Sequence, residues 1–283
     1  MNQLTSSIAL TLYIFLFSLP VHAQSTAGPK RIVSLAPSIT KSLYLLGAQD
    51  KLVAVTIYCP PEAAAKDKIG TVLEPNLEKI VAISPDLVIA TKDGNNYQTV
   101  ADLRRLGINT YVVDTADTYP EICKSFKKLA KAVGEEEAGL KVIENCDKRL
   151  SAVLKRAKNR KKPFIFWQVG AQPIYTASRK SFVNEFIEYG GGLNLFGDLN
   201  DKYPKVSREE VLKRDPDIII MVSMGDVTLD EKTKWQGFPS LKAARSGHIY
   251  MLDDPLFTNP TPEAVAKGSE IVEELIRRSE ASK

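Results

Sequence analysis

Apolar residues along the chain switch between two spacings. Short runs rich in β-branched residues at 31–35, 52–56, 87–89, 110–113, 164–169, 218–220 and 249–252 read as buried strands. Stretches at 97–106, 120–133, 135–157 and 181–189, and one that begins near Pro262, have helical spacing. Ser38 or Thr40 is a candidate cap for a helix that ends at Gly47, and residues 235–244 read as a short helical segment. The alternation predicts an α/β fold with parallel sheets and helices on both faces. Residues 170–176 read as a loop. At 120–133, Ile122, Phe126, Leu129 and Val133 share one face, and Gly134 then turns the chain into a second helix. That helix would span roughly 35 Å. The expected layout is an N-terminal α/β lobe at 24–134, a connecting helix at 135–160 and a C-terminal α/β lobe at 161–283. These are two Rossmann-like lobes joined by a single long rigid α-helix.

One pattern occurs twice. PNLEKIVAISPDLVIA at 75–90 and VSREEVLKRDPDIIIM at 206–221 superimpose at an offset of 131 residues. Asn76 then matches Ser207, Glu78 matches Glu209, Pro85 matches Pro216 and Asp86 matches Asp217. Each copy reads as a capped short helix, a Pro-Asp stop and a buried strand. Ser207 and Glu210 also fit a capping box. So long a period suits two similar lobes rather than a solenoid. Glu78 and Glu209 fall in the first turns of their helices. A carboxylate there complements the helix dipole. The match between lobes also suits paired acidic knobs that dock on a two-fold symmetric partner.

The N-terminus carries an apolar core at 8–19, then Pro20 and Val21-His22-Ala23. It reads as a signal peptide (1–23) cut after Ala23. The core is short for a membrane span, and the residue directly after the cut, Gln24, is not a cysteine that could carry a lipid. A soluble exported protein is expected, located in a bacterial periplasm. The formal charge of +4 is mild, and lysines at 124–131 and 155–162 fall on helix faces. No basic stripe with aromatic readers suggests a nucleic-acid partner. Cys123 and Cys146 lie almost symmetrically about Gly134, so an antiparallel hairpin would bring them level. A Cys123–Cys146 disulfide and two buried free thiols are both open at this point. Beyond the cut the only histidine is His248, which leaves no metal-ligand cluster and no serine-hydrolase triad. Phosphate-cradling glycine motifs are also missing. The chain therefore reads as a binder rather than an enzyme. The alternative from another class is an exported enzyme that uses Cys59 as nucleophile.

Ligands of open α/β sheets sit beyond the carboxyl ends of the strands. The loops there carry Pro37, Ser38, Tyr58, Cys59, Thr91, Lys92, Asp93, Asn95, Tyr175, Tyr203, Phe257 and Asn259. Four of these are aromatic and come from both lobes, which suits a large, flat or partly apolar ligand.

The set RIVSLAPSITKSLYLLG, VAVTIYCPPEA, NLEKIVAISPDLVIA, LRRLGINTYVV and VSREEVLKRDPDIII resembles the helical-backbone periplasmic binding proteins. These feed ATP-driven importers of cobalamin, haem and iron–siderophore complexes. The resemblance covers essentially the whole chain after the signal segment and is nearest the cobalamin-binding branch. It implies a monomer that holds a corrinoid between two lobes, with no cofactor of its own. It further implies that Glu78 and Glu209 form salt bridges to arginines on the dimeric permease of the importer. Tyr58, Tyr175, Tyr203 and Phe257 match positions where that branch places aromatics or its last cleft loop. Val72 and Thr91 stand where its best-known member has tryptophans, and Asn259 where an arginine is expected. The less aromatic cleft keeps a corrinoid precursor, haem and a ferric siderophore as alternatives. For haem, Tyr58 would be the axial ligand and Cys59 a metal contact. Catecholate siderophore binders present several arginines, and these loops show few.

Overall fold

Each half of the chain folds around one strand whose neighbours are arranged alike. The computed structural model describes residues 28–222, 229–253 and 255–281. The signal segment and its cut after Ala23 lie outside them. The first half contains β1 (Ile32–Ser34), α1 (Pro37–Leu45), β2 (Leu52–Val55), β3 (Asp67–Lys68), α2 (Leu77–Ile83), β4 (Leu87–Thr91), α3 (Tyr97–Arg105) and β5 (Thr110–Val113). Its sheet runs β3-β2-β1-β4-β5, and every pair is parallel. α4 (Tyr119–Ala132) and α5 (Glu136–Ala157) follow as a hairpin around Gly134, whose φ of 76° suits glycine.

The second half contains β6 (Phe164–Ala171), β7 (Ile174–Thr176), α6 (Val183–Tyr189), β8 (Leu193–Asn194), α7 (Arg208–Arg214), β9 (Ile218–Val222), α8 (Leu229–Gln236), α9 (Lys242–Arg245), β10 (Ile249–Leu252) and α10 (Pro262–Ala281). Its sheet runs β10-β9-β6-β7, with β8 beside the start of β6. In both lobes, then, a central strand (β1 or β6) has a repeat strand (β4 or β9) on one side and a further strand (β5 or β10) beyond it. The expected loop at 170–176 is instead an antiparallel β6–β7 hairpin. Three residues are too few to show a strand period in a sequence.

The duplicated pattern folds twice in the same way. Asn76 Oδ1 accepts the Lys79 N–H at 2.8 Å, and Ser207 Oγ accepts that of Glu210 at 3.1 Å. Each helix ends on a left-handed residue, Ser84 (φ 50°) or Asp215 (φ 46°), at matching positions. The aspartate of each Pro-Asp pair ties down the start of the central strand. Asp86 accepts the N–H groups of Lys30 (2.7 Å) and Arg31 (3.0 Å), and Asp217 accepts that of Phe164 (2.9 Å). Two expected caps differ. Glu210 does not close a capping box, because its carboxylate reaches forward to Arg214 at 3.1 Å. Ala36, not Ser38 or Thr40, caps α1, with Pro37 in its first turn. The Thr40 hydroxyl is taken by Ser34 Oγ at 2.8 Å.

The connecting helix is not alone. One contiguous buried layer takes Ile32 and Leu87 from the first sheet and Trp167 and Ile218 from the second. Phe126 and Leu129 of α4, Ile143 and Leu150 of α5, and Val265 and Val272 of α10 join them. Gly139 allows the close α4–α5 approach, since a Cβ there would lie 2.6 Å from Ala130 Cβ. Charge closes the edge of this layer. Arg149 of α5 donates to Glu263 at 2.6 Å and to both oxygens of Glu270 at 2.7 and 2.9 Å on α10. Arg160 holds Glu273 at 2.6 Å. Across the lobes, the Tyr119 N–H at the start of α4 donates to Glu185 of α6 at 2.7 Å.

Hydrogen bonding from the Arg149 guanidinium holds the Glu270 carboxyl below its usual range. Its stabilising contribution is therefore present above the ordinary carboxylate pKa and is lost as pH falls through the lowered value. Arg149→Met should cost about 1–2 kcal/mol at neutral pH, between the exposed and buried limits for ion pairs. Urea unfolding at neutral pH and near pH 3 checks this, and the difference from wild type should shrink at the acid value.

Candidate functional site

The carboxyl ends of β1, β2 and β4 look across to the second lobe over a cleft of about 530 Å³. Of the expected residues, Pro37, Ser38, Tyr58, Cys59, Thr91, Tyr203 and Asn259 line it, and so do Val72 and Asp93. Tyr58 stands 70% exposed at the mouth. Four expected residues are absent from the lining, Asn95 and the following three. Phe257 is 3% exposed and packs on Trp167 and Phe186, with ring centroids 5.6 and 5.7 Å away, so it belongs to the core. Tyr175 sits on β7, covers Gly170 and is absent from the lining. Lys92 donates its N–H to Val113 O at 3.0 Å, and its side chain is exposed outside the cleft. Phe182 and Lys202 line the cleft without having been expected there. Phe182 precedes α6 in a stretch whose pattern reads as helix, and no loop signal marks it.

Asn95 builds the wall rather than the binding surface. Its Oδ1 accepts the Thr91 N–H at 2.8 Å, and its Nδ2 donates to Leu35 O at 3.1 Å and Val72 O at 2.7 Å. One side chain thus joins the loops after β1, β3 and β4. Cys59 Sγ lies 3.1 Å from Thr40 Oγ1 and 3.3 Å from Thr56 Oγ1. These neighbours are hydroxyls, which cannot serve as a general base at neutral pH. Across the cleft, Lys202 of the second lobe pairs with Asp117 of the first. The Tyr203 phenol is pushed up by burial and then by the nearby carboxylates Asp117 and Asp93.

Of the two readings of Cys123 and Cys146, the structure has the free thiols, so the bridge that the hairpin geometry suggested is not formed. Cys146 Sγ points at Glu263 Oε2, 3.8 Å away. Burial, with the Glu263 charge, pushes its thiol up to about 12, and burial raises Cys123 as well. A thiol reagent should label one cysteine, Cys59, in the native protein and three after unfolding. Mass spectrometry of the adducts checks this count.

Helices of a parallel sheet run back against its strands, so α2 and α7 begin at the carboxyl edge, on the cleft side. Glu78 and Glu209 are both exposed in those first turns. The Glu209 carboxyl is held low by its own N–H and by the Ser207 hydroxyl. The supports beneath them differ. Leu77 packs its helix onto the first lobe's outer core. The matching Arg208 donates instead to Glu231 of α8 at 2.6 Å and lies 4.2 Å over the Trp235 ring. Glu231 is 1% exposed and also accepts from Gln168 at 3.1 Å. Arg208→Met would strand that carboxylate. With Gln168 and Lys234 still beside it, a loss of about 2–3 kcal/mol is expected. Arg208→Met/Glu231→Met should lose less than the single variant in thermal unfolding.

A family described as periplasmic binding protein matches residues 32–256. The vitamin B12-binding protein of Vibrio cholerae is 31% identical over 260 residues, which cover 91% of this chain and 93% of that protein. That of Yersinia pseudotuberculosis is 33% identical over 215 residues, 75% of each. The crystal structure of the periplasmic vitamin B12-binding protein of Vibrio cholerae superimposes with a TM-score of 0.74 at 29% identity, over 89% of this chain and 98% of that one. A periplasmic haem-binding protein of the same organism shares the fold, with a TM-score of 0.77 at 18% identity over 89% of this chain and 99% of that one. The chain belongs to the periplasmic binding protein family. No described helix is long and apolar enough to cross a membrane.

Proposed function

We propose that this periplasmic binding protein captures a corrinoid, cobalamin or a precursor, between its lobes and delivers it to the permease of an ATP-driven importer. The observation that carries the reading is the cleft. It lies beyond the carboxyl ends of the first lobe's strands and takes Tyr58, Phe182, Tyr203 and several prolines from both lobes. Such a surface offers flat apolar area with few fixed charges, which suits a macrocycle. The relatives named for vitamin B12 binding, matched along nearly the whole chain, favour a corrinoid. Val72 and Thr91 are both on the cleft wall, so small side chains stand where the resemblance places large rings. This favours a ligand held by Tyr58 and Tyr203 rather than by a full aromatic cage.

A haem reading rests on a different feature. Tyr58 and Cys59 are adjacent and both line the cleft, and a phenolate or a thiolate is an axial donor that haem iron accepts. Calorimetric titration of the protein lacking its signal segment separates the two. Cyanocobalamin or dicyanocobinamide should bind one to one, and haemin much more weakly. Tight haemin binding with a shifted absorption band, and silence from both corrinoids, would overturn the corrinoid reading.

For delivery, the exposed Glu78 and Glu209 on the cleft-side rim are proposed to engage basic residues, one on each permease subunit. Glu78→Lys/Glu209→Lys should leave ligand titration as in wild type and lower uptake at least about tenfold, as expected when attraction becomes repulsion at two sites. Unchanged uptake by the double variant would remove the docking role.

A further inference from the structure

We infer that Asp93 and the Asp117–Lys202 pair act together as a charge filter that rejects ligands rimmed with carboxylates and admits uncharged, amide-rimmed ones. The inference takes the cleft as the ligand site, as proposed above, and names the chemistry of what enters it.

Among the described residues that line the cleft, two carry charge: Asp93, after β4, and Lys202, after β8. Lys202 does not present a free cation, because its ammonium is paired with Asp117 across the lobes. Asp93 takes a hydrogen bond from the Thr115 hydroxyl at 2.5 Å, and that donor is neutral and leaves the carboxylate charge in place. The local balance is one ammonium against two carboxylates. Tyr203 lies beside both acids, since Asp117 and Asp93 each push its phenol up after burial. The two charges therefore bear on one region of the cleft. The start of α1 is a further source of positive potential, which Pro37 lessens by one N–H group.

A carboxylate brought here would meet an ammonium already ion-paired with Asp117, and two like charges. A side-chain amide meets partners of both kinds. Its N–H can donate to Asp93, and its carbonyl can accept from the Tyr203 hydroxyl. Asp117 is then a specificity residue that works through Lys202. It keeps the one cleft cation from recruiting anions.

The test compares two ligands with the same ring. Dicyanocobinamide carries amides around the corrin, and dicyanocobyrinic acid carries carboxylates. Wild type should prefer cobinamide by at least about tenfold at low ionic strength, and added salt should narrow the gap. Asp117→Asn frees Lys202 and should narrow it as well. Lys202→Gln should widen it, and Asp117→Asn/Lys202→Gln should return it towards wild type. Structural damage would not move the ratio in opposite directions in the two single variants. Equal affinity of wild type for the two corrinoids, or ratios that stay put in both single variants, would overturn the filter. If cobinamide fails to bind at all, the corrinoid reading falls. Haemin, with its two propionates, then decides the filter alone. It should gain roughly tenfold in Asp117→Asn, and no gain would overturn the inference.

Discussion

One apolar layer underlies both sheets, and the rest of the molecule depends on it. α4, α5, α6 and α10 sit between the lobes, so side chains of each sheet are buried against the same helices. Separating the lobes would expose side chains such as Tyr119, whose ring packs edge-on against Tyr189 at the end of α6 in the second lobe, and each such loss costs about 1.5–3 kcal/mol. The Arg149 and Arg160 contacts with α10 add directional restraint at the edge of that layer. The cleft walled by the two lobes therefore rests on one shared core.

The repeated helix–strand module explains how two matched rims arise. In each lobe an N-cap, a left-handed helix end and a Pro-Asp anchor fix a short helix relative to the central strand. Geometry repeats, and so does the first-turn glutamate. The fixing chemistry does not. The first lobe rests Leu77 on an apolar patch, whereas the second buries Arg208 against Glu231 and Trp235. A buried ion pair tolerates less displacement than an apolar contact, because any gap leaves a desolvated charge. Two rims of similar shape are thus held with different stiffness.

What the sequence made legible was what short-range physics decides. Strands of four or more residues, the Asn76 and Ser207 caps and the turn at Gly134 all follow from local patterns. β3, β7 and β8 do not, since they lie outside any longer apolar run such as the one that marks the equally short β1, and they exist only through pairing with β2 and β6. The same boundary runs through the site. Tyr58, Cys59 and Thr91 could be placed because strand ends point at clefts in this fold class. Phe257 went to the core and the largely buried Phe182 reached the cleft wall because tertiary packing alone decides where each ring faces. The Cys123 and Cys146 spacing was compatible with a bridge, but each thiol found other neighbours in a layer that four helices share.

The contact between Asp117 and Lys202 had no signal in the sequence at all. The residues lie in different lobes, and each alone reads as an ordinary solvated charge. Their meaning comes from the fixed gap between lobes. The two loops rest on a shared core and are paired in this structure, so among the described residues that line the cleft the one cation is ion-paired. In a hinged protein the same two side chains could separate and let the lysine meet an anion. Here the rigidity of the apolar layer becomes a property of recognition. What holds the lobes together also fixes the charge that a ligand encounters between them.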